Sequence, residues 1–231
     1  LQDVTLDEND NIYIAPGNFA ETYTFTIDWN GYILSGNTGV NLLTFSGRTN
    51  VTLKDNDSNA GGVRNEYTVS NYFGDHIGGI AICVSVQGGY CVAIEGGTYS
   101  AQVLKYDCSG DLKIKGGVFV NPAAPPVRYA IFSSDRNKND KGALADLLAE
   151  GVTFAYKDEN NKETLVDVYS TAHTEEGKTV YVVSHNHGGF DENNKCECGY
   201  VCEHAVVNED GMCTVCGKEM AAMVTKGDES H

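Results

Sequence analysis

Two runs of histidine and cysteine near the end of this chain share one spacing. The first is His185-x-His187-x8-Cys196-x-Cys198-Gly199, and the second is Cys202-x-His204-x8-Cys213-x2-Cys216-Gly217. One constant offset carries His185 onto Cys202, His187 onto His204, and Cys196 onto Cys213. Each run supplies four nitrogen or sulfur donors, the set a structural zinc ion takes at about 2.0–2.3 Å in a tetrahedron. Turn residues keep the same frame: Asn193-Asn194 falls where Asp210-Gly211 falls, and such residues accept a left-handed turn. Gly199 and Gly217 follow the last cysteine of each run. The pattern predicts two tandem zinc knuckles. One ion is assigned to His185, His187, Cys196 and Cys198, the other to Cys202, His204, Cys213 and Cys216. Cys202 is an alternative ligand for the first site.

A disulfide-linked tail is the competing reading. Five cysteines lie between 196 and 216, so pairing would leave one over. Disulfides also give no reason for three histidines to keep register with them. With four protein ligands each, the ions would be structural, with no open position for water. Few large apolar side chains lie in this stretch, so metal must supply its folding free energy.

Charge excludes the nucleic-acid function that zinc tails often serve. Between His185 and Met220 only Lys195 and Lys218 oppose seven carboxylates, and the whole chain carries a net charge of −16. Phosphate backbones are bound mainly through Lys and Arg. Anionic membrane surfaces are equally poor partners. No apolar run is long enough to span a bilayer, so no membrane insertion is expected. The start at Leu1 and the end at His231 read as the ends of a mature or excised fragment.

The ligands need a scaffold, and composition points to strands. Gly is abundant at 26 residues, Pro rare at 4, and Tyr leads the aromatics at 13. Short apolar alternations fill positions 1–132: Ile12/Ile14, Tyr23/Phe25/Ile27, Leu43/Phe45, Val51/Leu53, Ile80/Ile82/Val84, Val92/Ile94 and Leu112/Ile114. Each is too short for a helix and suits a strand with one buried face. Val92-Ala-Ile-Glu-Gly-Gly-Thr-Tyr-Ser100 is echoed by Leu112-Lys-Ile-Lys-Gly-Gly-Val-Phe-Val120. The offset from Val92 to Leu112 is about one coil of a parallel β-helix. Stacking would set Ile94 under Ile114 and Tyr99 under Phe119 inside, with Glu95 beside Lys115 outside. The Gly pairs 96–97 and 116–117 would form corners. A β-sandwich competes, but its hairpins predict no matched echo at that offset.

These coils resemble the right-handed β-helix (pectin-lyase-like) surface proteins of anaerobic gut Firmicutes. The stretch Ala143-Leu-Ala-Asp-Leu-Leu-Ala-Glu-Gly-Val-Thr-Phe-Ala-Tyr156 and the Cys/His tail of residues 185–217 carry the same likeness. It covers most of the chain from about residue 80. The resemblance implies a right-handed coil and a secreted or wall-associated location, and no particular activity.

The expected fold is all-β: a right-handed parallel β-helix with a short capping helix and a small antiparallel meander, followed by a zinc-binding tail. The boundaries read as 1–132 for the coils, 133–184 for the cap, 185–220 for the knuckles and 221–231 for a flexible tail. Within the cap, Ala143–Ala149 reads as a brief helix with Leu144, Leu147 and Leu148 on one face. It is expected to close the end of the core, in preference to binding a partner. Val152–Tyr156, Leu165–Tyr169 and Thr179–Val183 read as the meander strands.

Two functional classes remain. One is a non-catalytic adhesin or spacer that binds a glycan or surface protein, expected as a monomer. The other is a polysaccharide lyase or glycoside hydrolase on the same scaffold. For the enzyme, Asp55-Asn-Asp57 and Asp75-His76 are the candidate carboxylate sites, with Arg64, Lys105 and Arg128 as bases. Neither carboxylate set shows a hydrolase's adjacent Asp pair, and both read better as turns. Trp29, Tyr32, Tyr67, Tyr72 and Phe73 could stack on sugars, though they read by default as ladder residues of the coil. Cys83, Cys91 and Cys108 are odd in number and read as free thiols, which suits a reducing setting.

Overall fold

The structure is a computed structural model. It describes residues 2–8, 10–18, 20–56, 59–67, 72–73, 76–77, 79–106, 108–120, 129–134, 143–187, 190–202 and 212–213.

After β1 (Val4–Thr5), the chain visits three parallel sheets in rotation. The first circuit lays down β2 (Ile12–Ile14), β3 (Tyr23–Asp28) and β4 (Ile33–Gly36), and the second β5 (Asn41–Gly47), β6 (Thr49–Lys54) and β7 (Gly62–Asn65). A small antiparallel pair, β8 (Tyr72–Phe73) and β9 (His76–Ile77), interrupts the rotation. It resumes with β10 (Ile80–Val86), β11 (Cys91–Ile94) and β12 (Thr98–Ser100), then β13 (Gln102–Tyr106), β14 (Asp111–Ile114) and β15 (Val118–Val120), and reaches β16 (Ile131–Ser134). Strands β2, β5, β10, β13 and β16 share one sheet, and β3, β6, β11 and β14 a second. Strands β1, β4, β7, β12 and β15 lie in the third. The protein is all-β, and its main sheets are parallel.

One face of each strand points inward, so each sheet contributes an apolar ladder. In the first sheet Ile12, Leu43, Ile82, Val103 and Ile131 are successive partners. In the second they are Ile27, Leu53, Ile94 and Ile114, and in the third Leu34, Val63, Tyr99 and Phe119. From Leu53 to Ile114 and from Tyr99 to Phe119 these side chains are fully buried. Strand spacing of about 4.8 Å lets like side chains stack in direct contact, and the Tyr99 and Phe119 rings lie 5.4 Å apart. Outside, Lys115 Nζ meets Glu95 at 3.6 Å. Gly97 and Gly117 turn the corner between the second and third sheets at φ of +103° and +116°, where a side chain would be strained.

Ile80 departs from the expected alternation. The pairing of β10 with β13 slips between Ile80 and Ile82. Ala81 enters the main core in its place, and Ile80 joins Cys83, Leu104 and Phe132 in a second cluster. A bulge of this kind shifts every residue on one side of it to the opposite face.

The far end of the core is closed by the cap. The expected helix over Ala143–Ala149 is instead a single 3-10 turn, Leu144–Leu147, with Leu144 and Leu147 buried in the core. Three residues per turn bring these two leucines onto one face. Leu148 is already extended and continues the second sheet by a parallel bridge to Ile114, which ends the turn. Three antiparallel strands follow: β17 (Val152–Lys157), β18 (Glu163–Leu165) and β19 (Val180–Ser184). They extend the third sheet in the order β15, β19, β17, β18. The strand expected over Leu165–Tyr169 ends at Leu165. Beyond it, Val166 and Val168 are buried in the core, and the Val168 N–H is directed to the tail.

Candidate metal centre

Strand β19 ends at Ser184, and the next residue is the first predicted ligand. The His185 N–H donates to Gly151 O at 2.9 Å, which fixes where the tail leaves the cap. A tight turn then reverses the chain. The Asp191 carboxylate accepts from the N–H groups of Asn193 and Lys195 at 2.8 and 2.9 Å, and Asn194 takes a φ of +59°. Lys195 and Val201 form an antiparallel bridge, and the Gly199 N–H donates to Cys196 O at 2.8 Å. This hairpin places Cys196 and Cys198 opposite the two histidines.

His185 Nε2 lies 3.2 Å from Cys196 Sγ, and His187 Nδ1 lies 3.4 Å from Cys198 Sγ. The four donor atoms all fall within 4.8 Å of one another, and both sulfurs belong to buried residues. Bond lengths of about 2.0–2.3 Å imply tetrahedron edges of about 3.3–3.8 Å, so the group can hold a metal ion after a small contraction. Burial pushes the Cys198 thiol up to about 11, with neighbouring Cys196 adding to the rise. Burial, and then His185, hold His187 below the ordinary histidine range and so in the neutral form that binds metals. A metal ion at this position would have to displace the Cys198 proton, because metal binding requires the thiolate.

Of the second predicted set, Cys202 and Cys213 are buried with their sulfurs 3.5 Å apart. That is far beyond a disulfide bond of about 2.05 Å and close to a tetrahedron edge. His204 and Cys216 lie outside the described residues.

The surroundings of the first set include residues that spacing alone did not single out. Tyr200 lies against His187, with ring centroids 4.4 Å apart, and Tyr169 lies 5.5 Å from Tyr200. The tail is also pinned to the cap. The Val168 N–H donates to Cys198 O at 3.0 Å, and Lys195 Nζ meets Asp167 Oδ2 at 2.9 Å. Despite its partial burial, Asp167 is held below the usual carboxylate range by its hydrogen bond to Lys195. The Cys-Gly pair at 198–199 was the one signal in the sequence for this contact. Gly199 has a φ of +95° and sits against the Asp167 carboxylate.

Among the other candidates, Asp55 and Trp29 serve the scaffold. Asp55 accepts from the Gly31 N–H at 2.9 Å and from the Gly61 N–H at 2.8 Å, so both its oxygens bind turns. Arg64 is exposed beside Glu66, and Lys105 lies in β13. Asp57, Asp75 and Arg128, and the side chains of His76, Tyr72 and Phe73, lie outside the described residues. Trp29 is buried and donates its Nε1–H to the Tyr99 hydroxyl at 3.2 Å, so it is no exposed sugar platform. Tyr32 and Tyr67 are half-buried. Cys83, Cys91 and Cys108 are free thiols.

No family model, no curated protein and no solved structure matches this chain. Among the described residues, no helix is long and apolar enough to cross a membrane.

Proposed function

We propose that the chain is a non-catalytic binding or spacer module of a secreted or cell-surface protein, built on a right-handed parallel β-helix and braced by two structural zinc ions. The rotation of strands through three parallel sheets supports the β-helix reading. The observation that carries the metal reading is the convergence of His185, His187, Cys196 and Cys198. Two imidazoles and two thiolates suit zinc in preference to the hard cations, which take oxygen ligands. Four protein donors leave no place for a reacting water, so the ion's work is structural. Cys202 and Cys213, with His204 and Cys216, form the second set.

At neutral pH each structural ion contributes about 10 kcal/mol or more to folding. Elemental analysis of the full chain, purified under reducing conditions without chelator, is expected to find two zinc ions. His187→Ala should lose one and Cys213→Ser the other. Chelation should unfold the tail while the strand signal of the sheets persists. Zinc well below one per chain, with the cysteines oxidised, would sink the reading. Depolymerisation assays on neutral and acidic polysaccharides should release nothing. Chain cleavage would transfer the function to a lyase or glycoside hydrolase on the same scaffold.

A further inference from the structure

Strands β1, β2 and β3 each end their own sheet, so among the described residues one end of the core is ringed by three free strand edges. At the other end β19 covers β15, and the Leu148 bridge covers Ile114 of β14. The ladders stop unfinished at the open end. Ile12 and Ile27 are half-buried, whereas their partners Leu43 and Leu53 are fully buried. An apolar cavity of about 340 Å³ opens there, its lining including Ile12, Ile14, Ile27, Trp29, Ile33 and Leu34. Val4, Tyr13 and Tyr23, one on each strand, stand exposed. The longest of the three edges is β3. The Tyr23 N–H donates to Arg48 O and the Trp29 N–H to Lys54 O, both toward β6. Backbone groups alternate sides along a strand, so Thr24, Thr26 and Asp28 turn theirs to the open side. Such an edge is a template for another strand.

Charge decides which strand fits. No Lys, Arg or His precedes Arg48, whereas Asp3, Asp7, Glu8, Asp10, Glu21 and Asp28 all do. Lys54 Nζ meets Asp28 at 3.1 Å. Asp3 and Glu21 accept from uncharged groups, the Ile33 N–H and the Asn18 side-chain amide, and keep their charge. With Arg48 and Lys54 counted, residues 1–54 still carry a net charge of −4. A second copy docked end to end would set two such rims against each other, and like charges across an interface are unfavourable.

We propose that this end docks an extended polypeptide segment in which apolar residues alternate with Lys or Arg, added as a strand beside β3. Successive side chains of such a strand point to opposite faces. The apolar set enters the mouth of the core and continues the ladder of Ile27, Leu53, Ile94 and Ile114. The basic set lies outside, among the carboxylates. Main-chain pairing gives such an addition its affinity, and pockets for alternate side chains give it specificity. The surface gives the binding-module reading a partner class and rests on that reading, but not on the metal.

Fluorescence anisotropy of a labelled Lys-Val-Lys-Ile-Lys-Val-Lys peptide, titrated with the full chain, tests it. That peptide should bind at least tenfold more tightly than a counterpart with Glu for Lys, or one with Pro for the central Ile. Amide hydrogen exchange over Tyr23–Asp28 should slow on binding. Thr26→Pro removes an N–H from the free edge and should weaken binding at least tenfold. Because proline also bears on the shape of β3 itself, a second variant keeps the test decisive. Asp10→Asn with Glu21→Gln, both at exposed positions, should weaken binding at least threefold, and Glu159→Gln in the cap should leave it unchanged. No binding, equal binding of the Glu peptide, protection elsewhere than β3, or binding unmoved by the double variant would each overturn the proposal. Self-association of the chain that excludes the peptide would hand the edge to a second copy and overturn it too. Zinc content and the depolymerisation assay on the same preparation separate the readings. Two ions and no cleavage, without peptide binding, remove this surface alone. Peptide protection of β3 in zinc-free protein keeps the surface and removes the braced module.

Discussion

Gly199 lies directly against the Asp167 carboxylate, leaving no room for a side chain between tail and cap. Three further contacts surround this one: Lys195 to Asp167, Val168 to Cys198, and His185 to Gly151. The first metal set is therefore assembled on the end of the sheet structure and does not hang from it by a tether.

Gly199→Ala should break that arrangement. A Cβ at φ of +95° costs about 1–3 kcal/mol in backbone strain, and it also displaces the Asp167 carboxylate. With zinc loaded at the first set, as proposed, its transfer to a competing chelator should become at least tenfold faster than in wild type. Glu192→Ala, at an exposed position of the same turn, should transfer at the wild-type rate. Equal rates for all three proteins would mean the Gly199 contact does not hold the knuckle.

Ile114→Asp should be among the most damaging single changes. Ile114 is fully buried between Ile94 and Leu148, and an unpaired carboxylate there costs several kcal/mol. Lys115→Ala removes only an exposed partner of Glu95 and should change stability by about 0.5 kcal/mol or less. Denaturant midpoints of the two variants decide this, and similar midpoints would put the register in error.

Tyr99→Phe removes a hydroxyl that donates to Gly96 O at 2.8 Å and accepts from the Trp29 indole N–H. The buried indole N–H is then left without its partner, at a cost of about 1–3 kcal/mol. Thermal unfolding of the variant, followed by tryptophan fluorescence, should show both the loss and a shifted Trp29 emission. An unchanged spectrum would place Trp29 elsewhere.

Alkaline sensitivity should trace to Cys83. Burial, and then the nearby Cys108, push its thiol up to about 12 from an ordinary value of 9.0. The folded state thus favours the protonated form. This stabilisation is fully present below pH 9, declines as pH rises, and is lost once pH passes about 12. The limiting slope is about 1.4 kcal/mol per pH unit. Urea midpoints measured at pH 8 and pH 10.5 should differ more for wild type than for Cys83→Ala. Identical pH dependence in both proteins would show that Cys83 is not the group responsible.

The parts of the fold that the sequence announces are those where spacing is undisturbed. Val92 pairs with Leu112, and Tyr99 with Phe119, at one shared offset, and those pairs stand out as an echo. The same ladder joins Phe25 to Val51 and Val51 to Val92 at longer and unequal separations, because the circuits carry insertions such as β8–β9. Inserted loops cost little free energy and erase the period, so the earlier circuits left no repeat to read. The metal set was legible for the same local reason: a short hairpin fixes the geometry of its own ligands. The contacts of Asp167 with Lys195 and of Trp29 with Tyr99 join distant parts of the chain and leave no periodic trace. The bulge at Ile80 arises from a pairing slip with another strand, which the alternation within β10 does not record.

The direct passage from Ser184 in β19 to the ligand His185 sets a mechanical load path. With an ion bound at the first set, as proposed, tension applied beyond Cys198 would reach the metal–thiolate bonds before the hydrogen bonds of β19. While such an ion held Cys198 to His185, the stretch of chain between them would be shielded from extension. Rupture of that clasp would release roughly 40–45 Å of chain, taken at about 3.4 Å for each residue. Only then would force be applied to the strand that joins the cap to the third sheet.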